Sequence, residues 1–107
     1  MAPLSREIKE SDWKYLSKLA PTLLERAFEQ INKESVSIMK NQKKLSQKDL
    51  YWELSDHMKK KIKIVVKCFD DHRRSTAKQK ICNIRHHKFF TDEEYKGFSE
   101  ETRAAVE

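Results

Sequence analysis

Apolar residues recur at helical spacing over most of the chain, and they mark out a succession of amphipathic segments. The strongest runs from Ser46 to Phe69. Leu50, Leu54, Met58, Val65 and Phe69 follow at intervals of four and seven, with Ile62 and Val66 beside them. Ser46 suits a helix N-cap, with Asp49 in the first turn. Ile62, Ile64, Val65, Val66, Cys68 and Phe69 then leave few polar sides, the pattern of a central helix touched by several neighbours. Lys61 to Lys67 alternates like a strand, but no second strand is available, and a lone strand would leave its backbone groups unsatisfied. The segment is therefore read as a long core helix.

Upstream, residues 1–10 read as a polar arm, and Ser11-Asp12 opens a helix carrying Trp13, Leu16, Leu19 and Ala20. Pro21 disfavours helical backbone at the residue before it and suits a new first turn, so the pattern predicts a break or kink at Ala20-Pro21. A second helix follows from Thr22 into the early forties, with Leu23, Leu24, Ala27, Phe28, Ile31, Ile38 and Met39 as its stripe. The short connection over 41–45 makes it an antiparallel neighbour of the core helix.

Downstream, Asp70-Asp71 reads as a joint before a fourth helix, about His72 to Lys88, with Ala77, Ile81 and Ile84 inside. One continuous rod through the two aspartates fits the pattern as well. Thr91-Asp92-Glu93-Glu94 is a capping box before a single turn. Gly97 stands where a left-handed residue ends a helix, with Phe98 making the accompanying apolar contact. Ser99 starts a last short helix, Glu100 to about Val106.

Composition supports one all-α domain: a compact bundle of about four main helices with short C-terminal capping helices. Of 107 residues, one is glycine and two are proline, too few for the turns of a β protein. No apolar run reaches the roughly 20 residues of a membrane span, and the N-terminus lacks a secretory apolar core. The two cysteines then read as reduced thiols in a cytoplasm. Charge is uneven. Residues 1–39 carry 6 basic and 6 acidic side chains, residues 40–90 carry 15 and 5, and residues 91–107 carry 2 and 6.

Asp12-Trp13, Leu16, Leu19, Pro21 and Arg26, then Tyr51-Trp52-Glu53-Leu54, Arg73-Arg74-Ser75, the 91–94 turn and Phe98 to Arg103 resemble, in that order, a group of short bacterial helical proteins without an assigned activity. The resemblance implies a bacterial cytosolic origin and a compact helical fold, and it transfers no site residue.

Three kinds of chemistry are candidates. Cys68 and His72 are four apart, as are Cys82 and His86; on an antiparallel helical hairpin two such pairs would make a tetrahedral zinc site. The alternative is two small buried thiols and two solvated imidazoles. Lys59, Lys60, Lys63, Arg73, Arg74, Lys78 and Arg85 form a dense basic stretch suited to phosphate neutralisation, although no known nucleic-acid motif accompanies it. Tyr51 and Trp52 are candidate anchors for a protein partner or a second copy, unless they pack under another helix. Catalysis finds no support. Asp56-His57 and Asp71-His72 are sequence neighbours, which do not face each other on a helix, and no phosphate loop or nucleophile elbow is present. The expectation is a non-enzymatic cytoplasmic binding protein without cofactor, membrane or small-molecule substrate. It engages a protein or itself through its helices, with nucleic-acid binding by residues 59–88 as the alternative.

Overall fold

The computed structural model describes residues 7–41 and 46–107; the expected arm over 1–6 and link over 42–45 lie outside them. Five helices follow in order: α1 (Glu10–Lys40), α2 (Gln47–Phe69), α3 (Arg74–His86), α4 (Asp92–Lys96) and α5 (Glu100–Val106). No strand occurs among the described residues, so the all-α expectation holds.

α1 continues unbroken through Pro21, where the sequence predicts a break or kink. Asp12, Leu16, Leu23, Ala27, Ile31 and Ser35 stay in one helical phase across the proline, and all are buried. Packing of that continuous stripe outweighs the local cost of the missing amide. At about 46 Å, α1 is the longest element.

The core sits at one end of the α1/α2 hairpin. Leu16, Leu23, Ala27 and Ile31 of α1 meet Val65 and Cys68 of α2, and Ala77, Ile81 and Ile84 of α3. Ile8, Phe89 and Phe98 close the cluster from the loops. α2 is therefore not the central helix its sequence suggests. Leu50, Val65 and Cys68 alone are buried on it, and Met58, Ile62 and Val66 are exposed. α3, thin-striped in sequence, supplies more of the core. The joint at Asp70-Asp71 is real. α2 ends at Phe69, and Asp71 turns the chain with φ 57°.

α1 also holds the C-terminal elements by polar contacts. The Asp12 carboxylate accepts from the Ser99 amide at 2.9 Å and from the Ser99 and Thr102 hydroxyls at 2.6 Å each. Burial alone would raise the Asp12 pKa, but these hydrogen bonds from Ser99 and Thr102 prevail and hold it below its ordinary value. Arg26 forms a two-pronged pair with Glu94 at 2.6 and 3.2 Å and donates to the Phe89 carbonyl. Glu94 is at the same time the third residue of the expected capping box, which forms with Thr91. Gly97 departs from expectation. Its backbone is right-handed, with φ −69°, and its missing Cβ makes room for the Tyr15 ring, whose hydroxyl donates to the Glu94 carbonyl at 2.7 Å.

Candidate interaction face

Beyond Ile31 and before Val65 the hairpin runs on past the buried core cluster, drawing the molecule out to 63 × 23 × 21 Å. On one side of this extension Gln30 and Glu34 of α1 and Lys61 and Ile64 of α2 meet His87 and Phe89 of the chain after α3. This seam is polar: Glu34 faces His57 at 3.8 Å and Lys61 at 3.5 Å.

Among the described residues nothing covers the other side. Tyr51, Met58, Ile62 and Val66 recur at seven and four residues and form one row along α2. Phe28, Ser35 and Met39 do the same along α1. Ser35 Oγ, which donates to the Ile31 carbonyl, stands 3.9 Å from Met58 Sδ and joins the two rows. Every large apolar member of both rows is exposed, from 37% at Phe28 to 61% at Tyr51. Val36 and Trp52, one residue on from row positions, are exposed on the outer flanks. Tyr51 and Trp52 stack edge to face at 5.1 Å, and neither packs under a third helix, against the core-packing alternative.

The rows lead towards the core into a groove of about 420 Å³. Leu16, Ala20, Pro21, Leu24, Phe69 and Ile84 supply its apolar wall, and Ser17, His72 and Lys80 its polar points. Pro21 is seven residues before Phe28 and Phe69 three after Val66, so the groove continues the same face. Its polar points are held by the fold. His72 stacks on Trp13 with ring centres 4.3 Å apart and meets Ser17 Oγ at 3.0 Å. Partial burial, and secondarily Lys80, lower its pKa. Lys80 is 4% exposed and donates to the Phe69 carbonyl at 3.2 Å. Burial lowers its pKa, opposed by Asp71 and Asp70.

The zinc expectation fails on geometry. Among the described residues no three His, Cys, Asp or Glu side chains come together as metal ligands. Cys68 lies in the core, its thiol pushed up to about 11 by burial. His72 falls past the end of α2, which breaks the four-residue register with Cys68. Cys82 is half-buried, and His86 ends α3 edge to face with His87.

The basic stretch divides by role. Arg73 pairs with Asp71 at 2.6 Å, Arg74 donates twice to the Ile8 carbonyl, and Arg85 lies 4.7 Å over the Tyr95 ring. Lys78 is half-buried on α3. Lys59, Lys60 and Lys63 remain solvated on α2, Lys60 in an exposed pair with Asp56.

The row on α2 was legible as periodicity, but its exposure was not, and Asp12 and Arg26 gave no local sign of their distant partners. No helix of the described residues is long and apolar enough to cross a membrane. No protein-family model, curated protein or solved structure matches the chain.

Proposed function

We infer that the protein is a non-enzymatic helical binding module that engages another polypeptide through the open face of the α1/α2 hairpin. One observation carries this reading: two parallel rows of large apolar side chains, joined at Ser35 and Met58, lie uncovered along the face opposite the packed seam. Isolated exposed apolar residues are ordinary, but a continuous apolar face rimmed by charge is the mark of an interface. The rims carry both signs, with Glu25, Glu29 and Asp56 as well as Lys59 and Lys63. A phosphate backbone or anionic membrane would be repelled by the acidic ones, whereas a polypeptide can match both. Of the arginines in the basic stretch, Arg74 is tied into the fold at the Ile8 carbonyl, and Arg73 and Arg85 hold surface partners, Asp71 and the Tyr95 ring.

The test is site-specific photocrosslinking in cells making the chain, with a benzophenone side chain at Met58 or Ile62 and controls at Lys14 and Lys96. Adducts of defined mass from the first two positions and none from the controls are expected. Folded protein that yields no adduct from the open face would remove the basis of this reading.

A further inference from the structure

We propose that the open face docks onto the same face of a second copy of this chain. The two α2 helices lie antiparallel and are related by a two-fold axis at position 60. This deepens the reading above and rests on it.

The apolar row is self-complementary about that position. Met58 and Ile62 lie two residues to either side of it, and Tyr51 and Phe69 nine. Antiparallel docking therefore sets Met58 against Ile62 of the second copy at the centre, and Tyr51 against its Phe69 at each end. Phe69 walls the 420 Å³ groove, and Tyr51 is the most exposed large apolar side chain among the described residues. Each copy thus has a protruding ring at one end of the face and a concavity at the other. A two-fold axis fills both concavities at once. A buried tyrosine hydroxyl needs a polar neighbour, and Ser17 and His72 edge the groove.

The face spans two helices over about 30 Å, which gives roughly 1,200 Å² in total for the pair, at the lower edge of specific interfaces. A reversible dimer of micromolar strength is the expected product.

Sedimentation velocity of the full chain from low micromolar to near millimolar concentration tests this. Wild type should pass from monomer to dimer, and Tyr51→Ala should weaken association about tenfold with unchanged helical circular dichroism. Ile62→Glu, at the centre of the face and exposed in the monomer, should weaken it at least as much, while Glu53→Lys, on the seam side, should leave it unchanged. A wild-type chain that stays monomeric throughout overturns the proposal. So does a dimer indifferent to Tyr51→Ala or to Ile62→Glu. Crosslinks from Met58 to a different protein, with a monomer in the centrifuge, would overturn the self-docking alone. Absence of any crosslink would remove the binding reading itself.

Discussion

Single residues decide how this chain is tied together. Asp12 is 4% exposed and accepts three hydrogen bonds from Ser99 and Thr102. Replacing it with alanine leaves those donors unpaired, and we expect a loss of about 3 kcal/mol in urea unfolding. The Asp12 carboxyl has a folded pKa below its unfolded one, as does that of Glu94, which Arg26 holds down. Their stabilisation is complete above the ordinary carboxylate range and disappears as pH falls through the lower folded values. Asp12→Asn should flatten the acid limb of a stability-against-pH curve, measured by denaturant midpoint. Pro21 has the opposite sign. Alanine there restores an amide donor to the Ser17 carbonyl, and should stabilise the protein by about 1–2 kcal/mol, seen as a raised thermal midpoint. The two thiols should separate cleanly in a timed reaction with a disulfide reagent. Cys68 is buried with its pKa raised to about 11 and should react only on unfolding, after the half-buried Cys82. Asp12 was unreadable in this role. Beside Ser11 it looks like a helix start, and no local pattern announces a partner 87 residues on.

Local grammar was legible at the scale of elements, and packing was not. The Ser46, Thr91 and Ser99 caps formed where the sequence places them, because a cap involves residues only three apart. Pro21 misled because a stripe in phase from Leu16 to Ile31 overrides one missing hydrogen bond. α2 misled differently. An apolar row has the same spacing whether its own chain covers it or nothing does, so Met58, Ile62 and Val66 read as core and proved exposed. The helix chosen as central is thus half interior and half surface. Gly97 misled through its residue type, which suggests a left-handed turn where the fold needs a close approach. Gly97→Ala would drive a methyl group into the Tyr15 ring. We expect it to cost more than about 1 kcal/mol, and to loosen α4 from α1, seen as faster amide exchange over α4.

For the whole molecule, stability is graded along the long axis. The end with α3 and α5 is packed on several sides, and the hairpin extension is packed on one. Amide exchange should be slowest over Leu16–Ile31 of α1 and over α3. It should be fastest in α1 after Ser35 and in α2 before Met58, by local opening. If the open face pairs with a second copy, protection of that extension should rise with protein concentration while the core stays unchanged. The bond from Asp12 to Ser99 also sets an order of events in synthesis. The α1/α2 hairpin needs only neighbouring stretches of chain and can form early. Asp12 waits for its donors until Ser99 and Thr102, 87 and 90 residues further along the chain, have been made. Closure of this fold therefore follows the hairpin, and α5 serves as the latch.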